Sequence, residues 1–462
     1  MIQVIKRDGT IANFDKEKII IAIEKAMHSS TGVYTPGLAL TIANEIEAYA
    51  EKMGRNITIY AIEDQVYYKL LENNNPATAR AYENYKAVQA FKRVENTTDK
   101  DVFGLLNKSN VAVLDENSNK DASIVSTQRD LIAGEVSKDI ARRKLIPTDI
   151  VQAHDSGAIH FHDMDYIIQP MFNCCLVNLE DMLTNGTVIN GKRIDTPKSF
   201  QVACTVTTQI IAQVASGQYG GQSINGIDRI LAPYVRKSYE KYVELTLQEQ
   251  VEVYGMTPNL EKPEEIAWKR TQKEVKDGIQ TIQYQINTLM TTNGQAPFVT
   301  LFMHFDPNSE LAKEAALIDE EILKQRIQGI KNDADVYITP AFPKLIYVLD
   351  EHNVHPNSEY YYLTELAAQC TAKRMYPDYI SAKKMKEIYE GNVFAPMGCR
   401  SFLSPWKNEE GDYVFNGRFN IGVVSLNLPQ IGILAQGKED VFFDIFEKRL
   451  DLAEKALLFR YE

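Results

Sequence analysis

An α/β protein preceded by a small, mostly helical module is what this sequence predicts, on three observations. Four apolar, strand-like runs stand out: residues 172–179 (FNCCLVNL), 297–303 (PFVTLFM), 343–349 (PKLIYVL) and 420–428 (NIGVVSLNL). Helical stretches lie between them, the alternation expected of an α/β domain. Residues 1–95 follow a different pattern, one hairpin signal and then four helical patterns.

The elements follow in chain order. Residues 2–7 read as a strand, Asp8-Gly9 as a two-residue hairpin turn and residues 10–14 as the return strand. Asp15 is placed to cap the helix KEKIIIAIEKAM, which has apolar residues at 19, 20, 23, 26 and 27. Helical patterns continue at 37–53, 59–73 and 76–94, with Thr58 as a cap for the third helix. Residues 96–120 are polar and rich in Asn, Asp and Ser, and read as a linker. The α/β domain then occupies residues 121–462. Its last segment, KEDVFFDIFEKRLDLAEKALLFRYE, reads as a long amphipathic helix with apolar residues at 441, 442, 445, 446, 450, 453, 457 and 458.

Bulk properties narrow the function. With 44% hydrophobic and 24% charged residues, the 462-residue chain has the composition of a globular protein. The start, MIQVIKRDGTIANF, lacks a signal-peptide apolar region, and no run reaches the ~18 apolar residues of a membrane span. A cytoplasmic protein without a membrane partner is the expectation. The net charge of −12 argues against nucleic acid as a partner. It leaves room for small anionic ligands, for which a few local cations suffice. Cys174, Cys175, Cys204, Cys370 and Cys399 are too few and scattered for a disulfide framework. No Cys-x-x-Cys pair occurs, so no structural zinc site is expected in this chain.

Several constellations carry chemistry. Lys6 and Arg7 flank the hairpin tip and Lys18 lies in the first turn of the next helix, as either solvated surface cations or a triphosphate grip. In HDSGAIHFHDMDY (154–166), His160 and His162 share one side if the backbone is extended. They are either hydrogen-bonded histidines at a site entrance or ligands for iron, manganese or zinc. Cys174 and Cys175 lie on one apolar strand and must point to opposite faces, so only one can serve a given site. YGGQS (219–223) and TNGQAP (292–297) are loops that admit close approach to the backbone, or plain turns. In APMGCRSFLSPW (395–406), Cys399 sits on a Gly-bearing turn in apolar surroundings, where only Arg400 could lower its pKa.

Taken in order, these stretches resemble the anaerobic (class III) ribonucleoside-triphosphate reductases. The matching segments are HFHDMDY, QPMFNCCLVNLEDML, TTQIIAQVASGQYGGQSINGIDRILAPY, NTLMTTNGQAPFVT, KRMYPD, APMGCRSFLSPW and GRFNIGVVSLNLPQI, while VIKRDG…FDKEKI resembles an ATP-cone domain. The resemblance implies a ten-stranded α/β barrel of two five-stranded halves, entered by a loop that carries a thiyl cysteine. It makes Cys399 that cysteine, Cys174 the second active-site thiol and Cys175 a packing residue. Asn420 is implied near the sugar hydroxyls, Met397 beside the thiyl, and His160 at the polar end of a ribonucleoside triphosphate. It also implies Val4, Lys6, Arg7, Lys18 and Thr58 as the ATP/dATP grip. Gln209 and Lys241 would hold a deoxynucleotide effector at a dimer interface, in a homodimer or a larger dATP-dependent oligomer.

Formate is the implied reductant and a radical-SAM activating enzyme the implied partner. Members of this family carry a glycyl-radical loop and a four-cysteine zinc site in a C-terminal segment. This sequence contains neither motif, so a truncated chain or one part of a split enzyme is expected. Two other readings stay open: a glycyl-radical enzyme of the pyruvate formate-lyase type, and a radical-less, ATP/dATP-responsive regulatory protein on a reductase body.

Overall fold

In the computed structural model the described residues are 3–6, 11–29, 32–53, 56–107, 120–253, 255, 261–292, 294–398 and 401–462, with side chains excepted at 87–97 and 261. Packing divides the chain into two units, Met1–Phe103 and Gly104–Glu462.

In the first unit, strand β1 (Gln3–Ile5) pairs antiparallel with β2 (Ile11–Asn13) and parallel with β3 (Ile57–Thr58). The expected turn, Asp8-Gly9, lies outside the described residues. Helix α1 (Lys16–Met27) starts where Asp15 accepts a hydrogen bond from the Glu17 amide at 3.1 Å. Helix α2 spans Leu38–Met53, and α3 (Ile59–Glu72) is capped by Thr58, whose hydroxyl accepts from the Ala61 amide at 3.2 Å. Helix α4 runs Pro76–Leu106, so residues 96–106 of the expected linker are helical. The heptad-like spacing buries Ile19, Ile23, Ala26 and Met27 against Ile42, Ile46, Val66 and Leu70.

The second unit is built on a six-stranded sheet. Its strands are β5 (Cys174–Leu176), β8 (Gln222–Asn225), β9 (Val299–Met303), β12 (Lys344–Leu349), β13 (Asp378–Ser381) and β14 (Phe419–Asn420), in the order β13-β12-β9-β8-β5-β14. The first five are mutually parallel, and β14 runs antiparallel to β5. Two-stranded pairs complete the set: β4 (Ile159–Phe161) with β15 (Val424–Leu426), β6 (Thr187–Ile189) with β7 (Lys192–Ile194), and β10 (Ile330–Lys331) with β11 (Tyr337–Ile338).

Long helices connect the parallel strands, among them Phe200–Ser216, Ile227–Glu252, Glu261–Thr288 and Ala312–Gln328. They cover one face of the sheet. Val299, Leu301, Met303, Leu345 and Tyr347 join the helical core there, while Phe302, Ile346 and Val348 face the other way with Leu176, Ala395 and Met397. Both faces being covered explains why β9 and β12 read as unbroken apolar runs.

One expectation is met in part and two need correction. The described residues form one five-stranded parallel set plus one reversed strand, with no closed ten-stranded barrel among them. Residues 420–428 are not one strand: β14 pairs with β5 and β15 with β4, and the break falls at Gly422, where the Arg460 guanidinium crowds the backbone. The last helix, Glu439–Tyr461, does form, but its buried side is Arg449, Ala453 and Ala456. Leu450, Leu457 and Leu458 are exposed, because the small residues allow close approach and Arg449 satisfies the carbonyls of Ala158 and Asn427.

Candidate functional site

Cys174 opens β5 and sits opposite Asn420 in the antiparallel register. The Cys174 amide donates to Asn420 Oδ1 at 2.7 Å, and the Asn173 amide donates to the Asn420 carbonyl at 3.0 Å. Because Oδ1 accepts, the Asn420 amide nitrogen is the end left to donate. The Gly221 amide points at the Cys174 sulfur, 3.3 Å away. A Cβ on Gly220 would collide with Asn173 and stand 2.7 Å from that sulfur, and one on Gly221 would collide with the Phe298 ring, so neither position has room for a side chain. Cys175 faces the opposite way, against the helical core, with its Sγ 3.2 Å from Gln218 Oε1. Burial pushes its thiol up to about 12, which leaves it inert as a nucleophile.

The segment 395–398 lies over the same face as Cys174. Ala395 and Met397 are buried among Leu176, Phe302 and Ile346. Three polar side chains from the sheet hold its backbone. Ser223 Oγ donates to the Pro396 carbonyl at 2.6 Å, Thr300 Oγ1 donates to the Gly398 carbonyl at 2.8 Å, and Asn225 Oδ1 accepts from the Ala395 amide at 3.0 Å. The Met397 amide donates to the Ser401 carbonyl at 2.7 Å, closing the turn. Gly398 has a positive φ of 56°, and a Cβ there would stand 2.9 Å from the Cys174 sulfur. Cys399 and Arg400 lie outside the described residues. Cys174, Asn420 and Met397 therefore gather around the turn that leads into position 399.

Other expected site residues stand elsewhere. His160 is exposed on β4, opposite Ser425 of β15. Its ring centroid is 4.9 Å from that of His154 and 4.3 Å from that of His162. His162 Nε2 is 2.9 Å from Ser425 Oγ, and His154 Nδ1 accepts from the Phe161 amide at 3.2 Å. Burial lowers the pKa of both His154 and His162, and the neighbouring His160 adds to it. No three His, Cys, Asp or Glu among the described residues are grouped to hold a metal. Gln209 and Lys241 are exposed on the helices Phe200–Ser216 and Ile227–Glu252.

The first unit contains a cavity of about 530 Å³. Val4, Lys6 and Lys18 line it, as do Tyr82, Tyr85 and Lys86 of α4. Thr58 is spent on capping α3, and Arg7 lies outside the described residues. The α4 contribution escaped the sequence reading, although the 82/85/86 spacing does put these residues on one helical face. Ser223, Asn225 and Thr300 escaped it too, since polar residues within strands advertise no chemistry.

Comparison with known proteins bears on this arrangement. The family model described as anaerobic ribonucleoside-triphosphate reductase matches residues 116–462, and that of the ATP cone domain matches residues 2–90. The anaerobic ribonucleoside-triphosphate reductases of Haemophilus influenzae and Escherichia coli K12 are 41% and 40% identical to this chain over 99% of its length. The counterpart from Enterobacteria phage T4 is 43% identical over 79% of the chain and 58% of its own length. The chain spans 62% of the length of the two bacterial relatives. Among solved structures, the anaerobic ribonucleotide reductase from Thermotoga maritima with glycerol in the active site covers 80% of this chain and matches over 61% of its own, with a TM-score of 0.52 and 13% identity. The complex of that enzyme with dATP and CTP gives a TM-score of 0.51 at 14% identity over the same shares. At such identities the likeness is one of fold.

Proposed function

Because the chain belongs to the anaerobic ribonucleoside-triphosphate reductase family, we propose that it carries the substrate-reducing centre of an enzyme that makes deoxyribonucleoside triphosphates. The observation behind the reading is the meeting of the Cys174 sulfur with Gly398, the covalent neighbour of Cys399, beside Asn420. In this reading the five parallel strands are one half of a ten-stranded barrel, and β14 is the first strand of the other.

Cys399 would become the reactive sulfur by giving its thiol hydrogen atom to a glycyl radical, were one supplied, and keeping the unpaired electron. That sulfur takes the 3′-hydrogen of the ribose as an atom. The 2′-hydroxyl takes up a proton and leaves as water. Formate gives two electrons and a proton, which together with the substrate radical place a new hydrogen on C2′, and becomes carbon dioxide; Cys399 returns the first hydrogen to C3′. The sum is ribonucleotide, formate and a proton going to deoxyribonucleotide, carbon dioxide and water. Cys174 serves the opposite face of the sugar, and the Asn420 amide nitrogen donates to a sugar hydroxyl. Ala395 and Met397 form a dry floor that keeps water from the sulfur radical. His160 serves the triphosphate end.

ATP and dATP compete for the cavity of the N-terminal unit, with Val4, Lys6 and Lys18 in its wall, and Arg7 and Thr58 join the nucleotide grip. A deoxynucleotide at Gln209 and Lys241, across a homodimer interface, selects the base. Control of this kind requires each effector to bind two assemblies unequally. A radical-SAM activating enzyme is the protein partner, and the cytoplasm the site of action.

The test is anaerobic reconstitution. The chain is mixed with the C-terminal part of a relative, its activating enzyme, formate and labelled CTP. Labelled dCTP is expected, and its loss in C399S and C174S. Tight ATP and dATP binding with no dCTP under any combination would replace the reductase reading with a regulatory one.

A further inference from the structure

Tyr219 stands where three segments of the second unit meet, and the sequence reading gave it no role. Its amide donates to the Phe172 carbonyl at 3.0 Å, two residues before Cys174. Its hydroxyl donates to the Ile421 carbonyl at 2.9 Å, one residue beyond Asn420. The same oxygen accepts from Arg460 Nη1 at 2.9 Å. A carbonyl can only accept and a guanidinium can only donate, so the direction of the phenol proton is fixed. The ring stacks on Tyr166 with centroids 4.9 Å apart and planes 4° from parallel. Tyr166 in turn donates to Asp130 Oδ2 at 3.1 Å.

Arg460 reaches this point along a prepared path. Its guanidinium lies over the Phe161 ring, 4.2 Å from the centroid. It passes Gly422, where any Cβ would stand 2.1 Å from Nη1. Its Nε and Nη2 are buried without a partner among the described residues, so the bond to Tyr219 orients the group. Burial raises the Tyr219 phenol to about 12 despite the nearby cation, which keeps it a neutral donor across the physiological range.

We infer that Tyr219 and Arg460 are positioning residues for the thiol site: they lock the backbone at 420–421 against 172–174 and so fix the Asn420 amide opposite Cys174. The pairing of β14 with β5 is two residues long; Leu176 continues it toward Gly417 and Arg418, but among the described residues no backbone bond continues it past Asn420, the end that the lock holds. A slip of one residue would turn Asn420 to the other face. The lock supplies the missing constraint from the far end of the chain, and Gly422 is the residue that lets it in. This inference rests on the reading of Cys174 and Asn420 as site residues.

The experiment is hydrogen exchange on the full chain, with iodoacetamide labelling of Cys174 followed by mass spectrometry. Y219F keeps the ring and loses only the hydroxyl. It should speed exchange at residues 173–174 and labelling of Cys174 by about tenfold, the worth of one partly buried hydrogen bond. R460Q should do the same, and R460K, which keeps a cationic donor, should recover most of the protection. Y166F should leave both rates near wild type. β9 and β12 should exchange at wild-type rates in every variant. Wild-type exchange in Y219F would overturn the lock, and so would equal acceleration across β9 and β12, the mark of general destabilisation. None of these readouts needs turnover, so a chain that shows the lock yet never makes a deoxynucleotide would sink the reductase reading alone. In a reconstituted enzyme the same variant should lower kcat about tenfold with KM unchanged.

Discussion

Two adjacent sulfurs separate the faces of the main sheet. Cys175 packs among helices in a core of aliphatic and aromatic side chains, where burial holds its proton on. Cys174, one residue earlier, looks onto a face where a loop takes the place of helices. The helical face is held by apolar packing, which sets volume but tolerates small shifts. The loop-covered face is held by hydroxyls and amides aimed at particular backbone atoms: Ser223, Thr300 and Asn225 on residues 395–398. Hydrogen bonds are directional, so the second face fixes where a chain atom stands, as the proposed radical chemistry at a single sulfur would require.

The contrast breaks most easily at the sulfurs themselves. C174S should lower reductase turnover about a thousandfold, equivalent to ~4 kcal/mol of transition-state stabilisation. C175S should keep turnover within about threefold and lower stability by roughly 1 kcal/mol. Product assays beside thermal melts check both, and a dead C175S with an active C174S would invert the assignment. Next comes packing. Leu301, 2% exposed, lies wholly on the helical face. L301A should cost about 3 kcal/mol in urea unfolding while leaving the protection of 395–398 as it was. T300V is the converse. It keeps the volume and leaves the Gly398 carbonyl without its hydroxyl donor, for about 1–2 kcal/mol. Its effect should fall on exchange at 397–398 and on kcat, and a uniform loss of stability would argue that the hydroxyl is ordinary core.

The same contrast explains what could be read in advance. Asp15, Thr58 and the periodicity of α1 are local signals, and each acts within four residues of where it is written. β9 and β12 betray themselves because both faces are dry. β8, with sequence QSIN, was invisible as a strand: Gln222, Ser223 and Asn225 are polar because they hold distant backbone. The break at Gly422 was invisible for a related reason, since its cause, Arg460, lies 38 positions further on. Strand parity did say that only one of Cys174 and Cys175 could face a site, but the choice came from resemblance to the family. The cavity of the N-terminal unit was half legible: Val4, Lys6 and Lys18 were named, and its α4 wall was not.

A final test concerns a pair of buried acids within the helical face. Asp228, at the start of the helix Ile227–Glu252, and Asp319, within Ala312–Gln328, are 0% and 1% exposed. Burial raises both carboxyls, Asp228 to about 7, and the Asp228 charge pushes Asp319 further up. Their surroundings offer the Arg229 amide, which donates to Asp228 Oδ1 at 2.8 Å, and the phenols of Tyr347 and Tyr362 on the Asp319 side. The two acids therefore face each other with at least one proton between them at neutral pH. The unfolded chain releases those protons near pH 4, whereas the folded chain keeps them to pH 7 or above. The folded state thus binds more protons in this window, and the pair's contribution to stability falls as pH rises through it, by at most ~1.4 kcal/mol per pH unit for each carboxyl. D319N replaces one acid with a neutral group that can still donate to Asp228. Urea unfolding of D319N and wild type between pH 5 and 8 should give curves that diverge, the variant gaining on the wild type as pH rises. Parallel curves would mean that the two carboxyls titrate as ordinary surface acids and that the helical face carries no proton of its own.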